Sequence, residues 1–292
     1  MELRHLRYFV AIAEEGSFSR AAEQRLHTAQ PSLSRQIRDL EATIGVQLIV
    51  RRPRGMELTD AGRVFLEHAR GILLQVESAM EATRRAFRPA RAPFVVGFLT
   101  GCEMDWLPRI LATLRDEPHR TELTIHSASS PELEQGLLHG RIDLAFLRPN
   151  PGVPELEFKR VTEEELFLLL PAGHRLASRR SIDVKEIAGE AFISFTKSYA
   201  PALRAVIDDY LARCGIELVP AHEAETLPMV ISLVLSSGGI SFLPDYAGKL
   251  LPPSVVRRAF HGEPPTIPLA IGYSRSNASP LLRLVLAKAG RG

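Results

Sequence analysis

Near the start of this 292-residue chain, Gln30, Ser32, Ser34, Arg35 and Arg38 stand along one face of a helix whose first turn holds Pro31. Amide, hydroxyl and guanidinium groups so arranged are hydrogen-bond donors for base edges. Gln can pair with adenine and Arg bidentately with guanine, each good pair contributing about 1–3 kcal/mol of discrimination. Arg51, Arg52 and Arg54 form a second basic group at the tip of a strand–turn–strand pattern read over 46–50, 51–55 and 56–58. They suit phosphates or a minor groove, a contact that weakens with salt. Catalysis finds less support. The nine histidines are scattered, no Gly-x-Ser-x-Gly or phosphate-loop pattern occurs, and no acid/base pair stands out. Cys102 and Cys214 are far apart, lack metal-ligand spacing and have no evident basic neighbour, so they read as inert thiols and no metal is expected.

The elements that must position the polar face follow from periodicity. Leu3, Leu6, Phe9, Val10 and Ala13 give a first helix stopped at Gly16. Ser19 is expected to cap a short second helix, Arg20 to Leu26, whose Ala21-Ala22 pair permits close approach of a neighbour. After the turn, Leu33, Ile37, Leu40 and Ile44 mark the buried stripe of a third helix closed by Gly45. A tight helix pair followed by a basic-tipped hairpin is a winged helix-turn-helix, read as residues 1–58.

The runs Leu3-Arg4-His5-Leu6-Arg7-Tyr8-Phe9, Ser17-Phe18-Ser19-Arg20-Ala21-Ala22-Glu23, Thr28-Ala29-Gln30-Pro31-Ser32-Leu33-Ser34-Arg35-Gln36-Ile37, Leu40-Glu41 and Gly45-Val46-Gln47-Leu48 closely resemble the signature of LysR-type regulators. The match continues through Leu58-Thr59-Asp60-Ala61-Gly62, while Leu-Ile-Val at 48–50 departs from the family's more usual Leu-Phe-Glu. The resemblance implies a transcriptional regulator switched by a small effector. It places Thr28, Gln30, Pro31, Ser34, Arg35 and Arg54 at DNA-contacting positions. It also implies promoter DNA, further copies of the chain, commonly to a tetramer, and RNA polymerase as candidate partners.

Residues 59–88 read as a linker helix with Phe65, Ala69, Leu73, Val76, Met80, Thr83 and Phe87 on one seam, ended by Pro89. A 58-residue head cannot bury such a seam alone, so pairing with the same helix of a second copy is the economical solution. From residue 93 short β runs alternate with helices: strands near 94–98, 123–126, 144–147, 166–170, 191–195, 240–243 and 267–273, and helices near 106–115, 131–139, 201–213, 227–236 and 280–289. For residues 89–292 the resemblance implies a two-lobed α/β effector domain like that of periplasmic solute-binding proteins, lobe I near 92–161 and 268–292, lobe II near 162–267.

Ligands of open α/β sheets sit beyond the strand C-termini, where helix N-termini offer donors. Thr100-Gly101-Cys102, Ser127-Ala128-Ser129-Ser130, Ser194-Phe195-Thr196-Lys197 and Arg148 fall there and could hold a carboxylate, with Phe195, Met229 and Phe242 against a ring. Leu26–Ser34 and the Ser194-Phe195 region are similar to regulators of aromatic-acid breakdown, which implies an effector of the phenylpropionate or hydroxycinnamate kind and no cofactor.

Composition agrees. Residues 1–91 hold 15 Arg, no Lys and 11 acidic groups, whereas the rest is slightly acidic with 21 basic and 23 acidic groups. That split fits a nucleic-acid-binding head on a sensing body. No run of about 18 apolar residues occurs and Met1-Glu2-Leu3-Arg4 is too polar for a secretory signal, so a soluble cytoplasmic protein is expected. A transport binding protein would explain two lobes but not the head.

Overall fold

A computed structural model describes residues 1–52, 55–87, 93–114 and 122–288. They fall into two compact units, Met1–Phe87 and Arg88–Gly292.

The first unit runs α1 (Leu3–Glu15), α2 (Phe18–Arg20, continued by a π-helical turn over Ala21–Arg25), α3 (Gln30–Ile44), β1 (Ile49–Arg52), β2 (Gly55–Leu58) and α4 (Asp60–Phe87). Gly16 and Gly45 close α1 and α3 at φ 61 and 84, left-handed conformations that suit glycine. Ser17, rather than Ser19, caps α2 by accepting a hydrogen bond from the Arg20 N–H at 3.4 Å. Phe18 is drawn into the core, so the helix must begin there. Ala21 and Ala22 are fully buried, as close helix approach requires. The turn before α3 passes through His27 at φ 48 and closes when the Thr28 N–H donates to Ala22 O at 3.0 Å.

Leu33, Ile37 and Leu40 pack on Phe9 and Ile12, whereas Ile44, expected in the stripe, is 36% exposed at the helix end. The wing starts at Ile49, not Val46. Glu41 accepts hydrogen bonds from the N–H groups of Leu48 and Ile49 at 2.8 and 3.0 Å, tying the incoming chain to α3 instead of to a strand partner. Thr59 then joins wing to helix: its hydroxyl donates to Gln47 O at 2.8 Å and accepts from the Gly62 N–H at 2.9 Å. The front of the α4 seam is covered by the head itself, with Phe65, Leu66, Ala69 and Leu73 against Leu6 and Val10. Ile72, beside the covered stretch, and Met80, beyond it, stay 39% and 48% exposed. Pro89, the expected helix stop, lies outside the described residues.

The second unit continues β3 (Phe94–Leu99), α5 (Glu103–Leu114), β4 (Leu123–Ala128), α6 (Ser130–Leu138), β5 (Leu144–Leu147), β6 (Leu156–Pro171), β7 (Ser181–Ile182), β8 (Phe192–Phe195), α7 (Pro201–Arg213), β9 (Pro220–Ala224), α8 (Leu227–Ser237), β10 (Ser241–Pro244), β11 (Val255–Phe260), β12 (Thr266–Ser274) and α9 (Pro280–Lys288). Among the described residues one eight-stranded sheet runs β4-β3-β5-β12-β6-β11-β7, with β10 also paired to β6.

The long β6 makes two lobes from this sheet. Its first part pairs antiparallel with β12 and its last part with β10 and β11. The β6–β12 register shifts between Leu269 and Ala270, an irregularity that bends a sheet. On one side, Phe94, Phe98, Phe146, Leu269 and Ile271 form the first lobe's core with α5 and α9. On the other, Leu166–Leu170, Ile193, Val234 and Ile267 belong to the second. Strand β6 extends well before the expected 166–170, and β7, β9 and β11 are strands that apolar patterning does not mark. The missed half of β6, Glu-Phe-Lys-Arg-Val-Thr-Glu-Glu-Glu, is mostly charged because its outer side meets water.

Candidate functional site

Two sites take shape, one in each unit. On α3, Pro31, Ser32, Arg35 and Arg38 are exposed. The position of Pro31 in the first turn costs no hydrogen bond, since N–H groups there have no helical partner. Ser34 departs from expectation: it is 6% exposed, its hydroxyl accepting from Gln30 Nε2 at 3.2 Å. It therefore aims Gln30 rather than reaching outward. Arg38 Nε donates to Ser34 O at 3.4 Å, and Thr28 is half-buried at the turn. Arg52 on the wing donates from Nε and Nη2 to Glu57 Oε2, at 3.1 and 3.0 Å, an exposed pair that can exchange for a phosphate. The side chain of Arg51 and the whole of Arg54 lie outside the described residues.

The second site is a cavity of about 420 Å³ between the lobes, within the usual range for small-molecule sites. Lobe I supplies Thr100, Ser130, Glu134 and the stretch Arg148–Pro151, while lobe II supplies Phe195, Tyr199–Leu203, Leu227, Pro244 and Tyr246. Phe195 and Tyr199, stacked on each other at 5.6 Å between centroids with planes 22° apart, give one wall an aromatic lining. The N-terminus of α7 opens on the same cavity. Its cap position is Ala200, which has no side-chain acceptor, so the first-turn N–H groups are left for water or a ligand.

Of the residues expected at this site, Thr100, Ser130, Arg148 and Phe195 line the cavity and six do not. Cys102 is buried in the lobe I core, where burial pushes its thiol far up and keeps it protonated. Gly101 is covered by the Tyr246 ring; a Cβ there would meet Tyr246 Cε2 at 2.7 Å. Ser129 caps α6 in a reciprocal pair with Glu132, and Thr196 accepts from the Tyr199 N–H at 3.3 Å. Phe242 is enclosed with Phe192 and Phe260 in the lobe II core, and Met229 points outward at 53% exposure. Met229 faces away from the cavity, and for the other five a cap, a turn or packing claims the group that sequence position offers to a ligand.

Arg148 also differs from its expected role. It is 5% exposed, with Nη2 2.6 Å from Glu164 Oε2, an ion pair whose angle makes no directed hydrogen bond. Its Nη1 donates to Pro268 O at 3.1 Å, and its guanidinium lies 5.7 Å from the Tyr246 ring centroid. The charge is thus already answered inside the protein. The Arg148 N–H donates to Ser130 Oγ at 3.0 Å, leaving the Ser130 O–H proton free to donate. Tyr199, Tyr246, Glu134 and Asn150 were missed by sequence reasoning, since nothing in their local pattern separates them from core or surface positions.

Comparison with known proteins bears on both units. Residues 3–63 match the family model described as bacterial regulatory helix-turn-helix protein, lysR family, and residues 88–290 match the LysR substrate binding domain. The chain is 34% identical over 287 residues to the Hca operon transcriptional activator HcaR of Escherichia coli strain K12, covering 98% of this chain and 96% of that one. It is also 34% identical over 283 residues to the HTH-type transcriptional regulator AlsR of Bacillus subtilis strain 168, covering 97% and 93%. Among solved structures it resembles full-length CbnR complexed with its target DNA, at 27% identity and a TM-score of 0.58 over 100% of this chain and 99% of that one.

Proposed function

This chain belongs to the lysR family of bacterial regulatory helix-turn-helix proteins, and from that premise we propose that its interlobe cavity takes a small carboxylic acid with an aromatic body. The protein is a transcriptional regulator that binds promoter DNA through its head and a small-molecule effector through its C-terminal domain. The observation that carries the effector class is the pairing of the aromatic Phe195–Tyr199 wall with the uncapped start of α7 and the Thr100 and Ser130 hydroxyls. Such a cavity offers stacking area to a ring and neutral donors to a carboxylate. A helix N-terminus carries partial positive charge, so it favours an anion even where Arg148 is already paired.

Arg35, Ser32, Gln30 and Arg38 read base edges and Arg51, Arg52 and Arg54 meet the backbone. Two copies joined through the exposed part of the α4 seam, where Ile72 and Met80 lie, present two heads to half-sites a whole number of DNA turns apart. Effector binding acts on the DNA if the acid has different affinities for the two arrangements of the assembly. The test measures the full chain against its own upstream DNA and a scrambled duplex, across salt, with and without benzoate, cinnamate and 3-phenylpropionate, alongside Arg35→Ala. Selective binding that falls about tenfold or more in Arg35→Ala and shifts with one of the acids supports the reading. Equal binding to both duplexes, or indifference to every acid, refutes the corresponding half.

A further inference from the structure

Among the described residues, the charged side chains lining the interlobe cavity are Arg148 and Glu134. Arg148 is answered by Glu164, which stands behind the wall and not on it. Among the described residues no ion pair answers Glu134: the polar group acting on it is the Asn150 amide, whose own carbonyl oxygen is occupied by the Gly152 N–H at 3.1 Å. Burial pushes the Glu134 carboxyl above its ordinary range, and the Asn150 hydrogen bond only partly offsets this. A carboxylate offers about four acceptor sites, so most of its capacity is left for whatever fills the cavity.

Position on the helix adds to this. Ser130 and Glu134 are four residues apart on α6 and so share a face, just over one turn or about 6 Å along the axis. The wall therefore offers a donor, the Ser130 hydroxyl, and one turn away an acceptor, the Glu134 carboxylate. A ligand that touches both must accept at one end and donate at the other.

We propose that Glu134 selects the effector: the cavity prefers an aromatic carboxylic acid that carries a hydroxyl at its far end over the unsubstituted acid, and rejects a dicarboxylic acid of the same length. This rests on the carboxylic-acid reading of the cavity above. A hydroxyl gives the half-buried carboxylate a charge-assisted hydrogen bond. A bare ring edge strips its water without replacement, and a second carboxylate adds repulsion between like charges.

The test is calorimetric titration of the full chain with benzoate, 4-hydroxybenzoate and terephthalate, and with cinnamate and 4-hydroxycinnamate as a longer pair, repeated on Glu134→Gln and Glu134→Leu. In the native protein the better-fitting hydroxylated acid binds about ten- to a hundredfold more tightly than its parent, and terephthalate binds more weakly than benzoate. Glu134→Leu brings parent and hydroxylated acid to within about threefold of one another. Glu134→Gln, which keeps the shape and removes the charge, relieves the exclusion of terephthalate by about tenfold or more. Hydroxylated and parent acids binding native protein equally, or a preference that survives in Glu134→Leu, overturns the proposal while the carboxylic-acid reading stands. Failure of all five acids to bind native protein overturns that reading and this proposal with it.

Discussion

Gly62→Ala puts one methyl group where α4 begins. A Cβ at Gly62 would lie 2.1 Å from Leu48 O and 3.1 Å from Leu48 C, when ordinary contact starts at 3.4 Å. Either the helix start or the wing must therefore move by more than an ångström. Leu48 O cannot yield freely, because it accepts from both the Thr59 N–H at 3.0 Å and the Thr59 hydroxyl at 3.2 Å, and the Leu48 side chain is buried. Overpacking of this kind costs about 1–3 kcal/mol, and disturbing the two Thr59 contacts adds about 1 kcal/mol. Alanine's better helix propensity returns about 1 kcal/mol. The net loss is about 2 kcal/mol. Hydrogen exchange of the full chain, read on peptides from residues 3–63, should then show roughly thirtyfold faster opening of the head. Gly71→Ala, on the same helix with nothing within 4 Å of its added Cβ, receives only the propensity gain and should leave exchange unchanged or slow it. Native-like exchange in Gly62→Ala, or equal damage from both substitutions, refutes the reasoning.

Glu164→Leu strands the Arg148 charge in a buried setting and should destabilise the effector unit by about 3–5 kcal/mol, read as a lowered Tm; Glu164→Leu with Arg148→Met should recover much of the loss. Burial alone would raise the Glu14 carboxyl, but hydrogen bonds and charge from Arg70 and Arg25 outweigh it and hold the group below its usual 4.5. Its contribution is therefore present above about pH 4.5 and lost as pH falls through the lowered value. Head stability followed by denaturant titration should decline in that window, and less so in Glu14→Gln, where an unchanged decline counts against the Glu14 clamp. Met80→Glu, on the exposed part of α4, should shift the chain toward monomer in sedimentation while leaving the head folded; undiminished association would exclude this stretch as the seam.

Residues that act through local geometry were readable one by one. Apolar spacing located α1 and α3, Gly16 and Gly45 marked where they stop, Pro31 marked where α3 starts, and the exposed Ser32, Arg35 and Arg38 follow from helical period alone. α7 was read at its true limits, Pro201 to Arg213, for the same reason. Competition between local partners was harder to read: Ser17 won the cap of α2 over Ser19 because Phe18 had to reach the core.

The cavity depended on contacts between residues far apart in the chain. Arg148, just after β5, meets Glu164 of β6 across the intervening β12, Gly101 lies beneath Tyr246, and Glu134 shares a wall with Asn150 and faces a lobe built from residues near 200. The hydroxyls of Ser129 and Thr196 resemble ligand groups in sequence, but a helix start claims the first and the turn before α7 the second. Periodicity records which side of an element faces apolar surroundings, and that is enough to assemble the head and name the exposed face of α3. It does not record which element lies opposite, so the groups left over for an effector were decided only when β6 and β12 carried the chain through both lobes.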